Sequence, residues 1–203
     1  MVDVRQPASD HNRAVARRDQ VLCAAAECFR DHGFHGASMA ELARRAGMSV
    51  GHIYHYFENK EAIIEAIVER DLARSLAFLD ELARASDASA AILDLVHASV
   101  SSPEGRQRLL LRMEVLAEAS RSPRVAAKVR EADARARERF LEVLRAHPAF
   151  RDVPDDDLNA RADGIVAILE GLTLRALRNP GLDVARVTAE MRPALAALLR
   201  VER

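Results

Sequence analysis

From about Asn12 to His32 the apolar residues Val15, Val21, Leu22, Ala25, Cys28 and Phe29 return at helical spacing, and Gly33 closes the run, as a glycine beyond a helix end commonly does. Two short helical stretches follow, near 39–46 and 50–56, separated by Gly47, Met48 and Ser49. Neither is long enough to hold its shape alone, so both require packing on a third helix. Asn59 can cap the next helix, which runs from Lys60 to about Arg84 with Ile63, Ile64, Ile67, Leu72, Leu76 and Leu79 as its buried stripe. Ser102-Pro103 and Ser122-Pro123 each place a capping hydroxyl before a proline suited to a first helical turn. The helix after Ser102 is expected to turn Leu109, Leu110, Met113, Leu116 and Ala117 inward, and the one after Ser122, ending near Ala146, to bury Val125, Val129, Phe140 and Leu144. Pro154 with the acids Asp155 to Asp157 opens a further helix, where negative charge suits the dipole. Asn179-Pro180-Gly181 breaks it, and Asp183 can cap the last helix, which contains Pro193 and is expected to kink there. No strand-like alternation of useful length and no internal repeat occurs, so the pattern predicts an all-α fold of about nine helices.

Composition agrees with that pattern. Only 8 Gly and 7 Pro occur in 203 residues, too few for a loop-rich β fold, while Ala, Leu, Arg and Glu dominate and favour helix. A net charge of −1 excludes a chain that is basic throughout, so any nucleic-acid contact must come from a local patch. Cys23 and Cys28 stand five apart on a helix, hence on different faces, and read as separate reduced thiols. There is no leading apolar segment, and the most apolar run, Ile165 to Leu174, is interrupted by Glu170. It is far short of the ~20 residues a span needs. A soluble, cytoplasmic protein without a membrane partner is expected.

The chemically informative stretch runs from Gly33 to Lys60, GFHGASMAELARRAGMSVGHIYHYFENK. Ser38 and Glu41 have capping-box spacing. Leu42, Ala43 and Ala46 face inward, and the small Ala43 lets a second helix cross closely. Gly47 permits a sharp corner, Met48 plugs it, Ser49 caps the second helix, and Ile53 and Phe57 bury that helix's inner side. Two short helices at a steep angle around a glycine turn are the logic of a helix-turn-helix. Val50, Gly51, His52 and His55 then fall on the outer side, fit for base edges in a major groove. Tyr54, Tyr56 and Lys60 lie at the flank and far end, suited to phosphate oxygens, and Ser38 with the free amides behind it offers another phosphate contact. Tyr56 could instead be a core aromatic, and Lys60 an ordinary solvated lysine.

Residues 13–65 resemble the DNA-binding domain of the TetR (tetracycline repressor-like) family. The resemblance is carried by Phe29, Gly33, Phe34, Ser38, Glu41-Leu42-Ala43, Ala46-Gly47-Met48-Ser49, Gly51, Ile53-Tyr54, Tyr56-Phe57 and Asn59-Lys60-Glu61-Ala62. It implies operator contacts at Ser38, Ser49 to His52, Tyr54, Tyr56 and Lys60, while His55 stands where residues vary. Glu114 to Ala119 followed by Ser122-Pro123, and Asp163-Gly164-Ile165 to Leu177 followed by Asn179-Pro180-Gly181-Leu182-Asp183, are similar to the C-terminal domain of BetI-like members. The implied organisation is a flexible arm at 1–11, a helix-turn-helix domain at 12–58, and a helical ligand-binding and dimerisation domain at 59–203.

A lone helix-turn-helix contacts few base pairs, so a homodimer over two half-sites of a palindromic, double-stranded DNA operator is expected. The broad apolar surfaces of the last two helices are the candidate interface: Ile165, Ile168, Leu169 and Leu172 on one, Val187, Met191, Leu195 and Leu198 on the other, with Ala167 and Gly171 permitting close approach. These stripes could also be core within one chain. A small-molecule effector, acting by population shift to release a repressor, would find candidate walls in Phe78, Leu82, Val96, Met113, Leu116, Phe140 and Leu144, with Glu114 or His97 as a polar handle. Core packing is the plain alternative for each apolar member. Two other classes compete: a helical interaction protein without DNA, and an all-α metalloenzyme, prompted by His32/His35 and His52/His55. Helical di-metal sites use Glu-x-x-His pairs, which this chain lacks. No catalytic residue, metal ligand or cofactor is therefore expected.

Overall fold

The computed structural model describes residues 7–199. Among them are nine α-helices: α1 (Pro7–Gly36), α2 (Met39–Arg45), α3 (Val50–Tyr56), α4 (Lys60–Leu82), α5 (Ala88–Ser101), α6 (Pro103–Ala119), α7 (Pro123–Ala146), α8 (Asp155–Arg178) and α9 (Val184–Leu198), with a 3-10 turn at Pro148–Phe150 and no strand. The fold is all-α. The first six residues of the expected flexible arm lie outside the described residues, and helix begins at Pro7.

The chain divides into two compact units, one of Met1–Arg70 with Leu111–Val129, the other of Asp71–Leu110 with Arg130–Arg203. Helices α4, α6 and α7 each contribute to both.

In the first unit Val21, Leu22, Ala25, Cys28 and Phe29 of α1 are buried with Leu42, Ala43, Ile53, Phe57, Ile63, Ile64 and Ile67. Backbone geometry leaves the helix at Gly33 (φ 69°, ψ 168°), which folds Phe34 back so that its ring lies 5.3 Å from Phe29. Asn59 Oδ1 accepts from the Ala62 amide at 2.8 Å and so opens α4 as expected. The start of α7 is tied to α4 by two rungs, Arg124 on Glu65 and Lys128 on Glu69.

In the second unit Leu79, Leu82, Ile92, Phe140, Leu144, Phe150, Leu158, Ile165, Leu195 and Leu199 form one apolar cluster, with α5 packed on both α8 and α9. Helix α5 was not delimited by its apolar spacing. Asp87 specifies it, one carboxylate oxygen accepting from the Ala90 amide at 2.8 Å while the other takes Arg192 of α9 at 3.1 Å. Arg137 pairs bidentately with Asp163, and Arg139 holds Asp80. Ser102 and Ser122 cap α6 and α7 as their spacing predicts, accepting from Gly105 and Val125.

The buried stripe of α6 differs from the expected one. The inward residues of α6 are Leu109, Leu111, Val115 and Glu118, whereas Leu110 and Leu116 are 41% and 45% exposed. Three consecutive leucines leave the phase of a helix ambiguous, and the true stripe includes a carboxylate that hydropathy excludes from a core.

Candidate nucleic-acid interface

The corner between α2 and α3 is built from local chemistry. Ser38 Oγ accepts from the Glu41 amide at 3.1 Å, and Ser49 Oγ accepts from the His52 amide at 3.2 Å. Gly47 takes φ 59°, a value that strains any side chain. Its amide donates to Arg44 O at 3.2 Å, and the Met48 amide donates to Ala43 O at 3.0 Å, which closes the end of α2. Gln20 of α1 donates Nε2 to Ala46 O at 2.7 Å, satisfying a further carbonyl at the corner. No sequence signal marked Gln20 for this task.

Only half of the expected capping box forms. Glu41 does not reach back to the cap; its carboxylate accepts from Arg44 Nη2 at 2.6 Å, Arg44 Nε at 2.9 Å and Arg45 Nε at 3.0 Å. Those hydrogen bonds, first from Arg44 and then from Arg45, bring its pKa from 4.5 to about 2. Arg45 also donates to Asp31 of α1 at 2.6 Å, which lowers the Asp31 pKa. Arg45 is thus an internal brace between α1 and α2, and its charge is spent there. Burial pushes the Cys28 thiol up, away from the reactive thiolate.

Helix α3 buries one side and bares the other. Ile53 and the following Phe57 are buried, while Val50, Gly51, His52, Tyr54 and His55 are exposed, Tyr54 at 51%. A Cβ placed on Gly51 would meet nothing within 4 Å. Tyr56 is half-buried and stands between two imidazoles, its ring 5.3 Å from His52 and 5.3 Å from His55. Aromatic contacts of that kind restrict the rings to few orientations. Ser38 and Ser49 are exposed and accept from backbone amides, so their hydroxyl protons can donate outward. Val50, Gly51, His52, Tyr54 and His55 therefore share one open side, with Tyr56 at its edge.

Lys60 is engaged within the chain. Its Nζ donates to Phe34 O at 2.8 Å and Ala37 O at 2.7 Å and lies 4.7 Å from the centre of the Phe34 ring. Two of its three donors are committed to the chain between α1 and α2. The lysine is a strut between that piece of chain and the start of α4. Lys60→Met, which keeps the stem and removes the ammonium, is expected to lower unfolding free energy by about 2 kcal/mol. Urea denaturation checks this; unaltered stability would remove the strut role.

Other expected site residues are spread over both units. Leu82, Val96, Phe140 and Leu144 are buried in the second, and Phe78 packs against the same cluster as Leu82, Phe140 and Leu144. Met113, Glu114 and Leu116 belong to the first unit. His97 and Leu116 are exposed. Of the expected interface, Ile165 and Leu195 are 0% exposed and belong to the chain's own core. Ile168, Leu169, Leu172, Val187, Met191 and Leu198 are half-buried. Val166 and Leu174, not singled out by their spacing, are exposed large apolar residues on α8. Among the described residues no three or more His, Cys, Asp or Glu side chains group as a metal site, and no helix is long and apolar enough to cross a membrane.

Two short capped helices meeting at a positive-φ glycine, the second with a bare outer side, define a helix-turn-helix protein. Residues 21–67 match the bacterial regulatory proteins of the tetR family, and residues 88–200 match the BetI-type transcriptional repressor C-terminal region. The chain belongs to the TetR family of transcriptional regulators, with a C-terminal region of the BetI type. The HTH-type transcriptional regulator BetI of Cronobacter sakazakii is 30% identical over 166 residues, 79% of each chain. The HTH-type transcriptional regulator UidR of Escherichia coli (strain K12) is 35% identical over 123 residues, a match covering 56% of this chain and only 57% of UidR. The solved structure of Salmonella enterica GusR shares the fold with a TM-score of 0.76 at 24% identity, covering 98% of this chain and 100% of that one.

Proposed function

We propose that the protein is a cytoplasmic transcriptional repressor that binds a palindromic DNA operator as a homodimer and is released by a small-molecule effector. The observation that carries this reading is the bare outer side of α3, where Val50, Gly51, His52, Tyr54 and His55 stand clear while Ile53 and Phe57 anchor the helix from behind. A helix presented in this way fits a major groove, with His52 able to hydrogen-bond a base edge and Val50 able to touch a thymine methyl. Ser38, Ser49, Tyr54 and Tyr56 supply neutral donors for the flanking phosphates. Dimerisation through α8 and α9 uses the half-buried apolar residues there together with exposed Val166 and Leu174. The effector is supported by the BetI-type C-terminal match, and Phe78, Leu82, Phe140 and Leu144, which share one apolar cluster, are its candidate walls.

The test is selection of duplexes from a random library by the pure protein, followed by the same selection with His52→Ala. The wild type should enrich a two-fold symmetric site. The variant should lose discrimination at one base pair in each half-site, by about tenfold. Enrichment of nothing by the wild type would refute the regulatory role, and an unchanged site with His52→Ala would remove the base contact.

A further inference from the structure

Among the described residues Glu118 is the one buried charged residue, at 4% exposure. It sits at the end of α6 in the first unit. Its Oε2 makes no aligned hydrogen bond, yet His35 Nε2 lies 3.0 Å from it. The His35 side chain is 68% exposed and its ring stands edge-on to Phe34 at 5.4 Å. One turn earlier on α6, Glu114 Oε2 is 3.5 Å from where a Cβ on Gly33 would stand. Glu114 and Glu118 therefore both lie against residues 33–35, the piece of chain that leaves α1 at a positive-φ glycine and enters the Ser38 cap of α2. Lys60 holds the same piece through Phe34 O and Ala37 O.

A buried carboxylate held only by an imidazole out of line with it is unfavourable, and an apolar residue of similar size would fill the space at less cost. Its presence against the chain that leads into the reading corner suggests that it specifies geometry. We infer that the Glu118–His35 contact is a positioning contact, fixing residues 33–37 and through them the angle at which α2 and α3 present their outer side. Neither residue is assigned a contact with DNA. The inference rests on the DNA-reading role proposed above and names what orients that site.

Glu118→Gln keeps the shape and removes the charge, while His35→Ala removes the partner from an exposed position. Each is measured against the duplex enriched by the wild type and against an unrelated duplex of equal length. Each single variant is expected to bind the enriched duplex about tenfold more weakly and the unrelated one within about twofold of wild type, because phosphate attraction does not depend on a fixed reading angle. The double variant should be no worse than either single, as expected of two residues acting through one contact. A merely structural role would lower the active fraction and weaken both duplexes alike, which would overturn the proposal. So would additive losses in the double variant, or wild-type affinity in Glu118→Gln. Failure of the wild type to enrich any duplex refutes the regulatory reading itself, an outcome separate from wild-type enrichment with unaffected variants.

Discussion

Gly51→Glu is expected to abolish operator binding while leaving the fold as stable as before or more so. The position is exposed, a Cβ there meets nothing within 4 Å, and it lies in the first turn of α3 beside the Ser49 cap. Replacing a helical glycine removes a conformational penalty of about 0.5–1 kcal/mol. An acidic side chain in a first turn also suits the helix dipole. The same carboxylate would stand beside Val50 and Tyr54 on the side proposed to enter the groove. There it meets phosphate charge and displaces close backbone approach, so affinity for the enriched duplex should fall by at least about a hundredfold. Fluorescence anisotropy with a labelled duplex reads the loss, and a thermal melt reads the fold. Retained affinity would mean that this side of α3 does not meet the duplex.

Gly171→Arg applies the same logic to assembly. Gly171 is an exposed residue within α8, again with open space around a built Cβ, between the exposed apolar residues Val166 and Leu174. A protomer alone accommodates the arginine without displacement and gains helix propensity. A partner packed closely against that stripe does not. Light scattering at micromolar concentration should therefore report a dimer for the wild type and a monomer for the variant. DNA affinity should drop by about a hundredfold or more, because two linked reading heads give way to one. A variant that remains dimeric would place the interface elsewhere.

What the sequence made legible was local. The caps at Ser38, Ser49, Asn59, Ser102 and Ser122 and the corner at Gly47 each depend on residues within a few positions, and all of them form. The reach of long side chains was not legible. Lys60 is drawn to carbonyls 23 and 26 positions away, and Glu41 turns to Arg44 and Arg45 in place of its own cap. Both outcomes depend on where other helices end. Broad apolar stripes were ambiguous for a different reason. On α8, Ile165 is fully buried and its neighbour Val166 is 38% exposed. Hydropathy gives these two residues nearly the same weight, so it does not say which face the chain buries and which it leaves bare. Glu118 was hidden by the opposite effect, since a charge is read as surface until packing shows otherwise.

The central claim, that the outer side of α3 reads DNA, is tested most directly by hydroxyl-radical protection of the protein's side chains, free and bound to the enriched duplex. Val50, His52, Tyr54, His55 and Tyr56 should become protected on binding, while the similarly exposed Leu95 and Leu110 of the second unit keep their free reactivity. Tight binding with Tyr54 and His52 as reactive as in the free chain would contradict it.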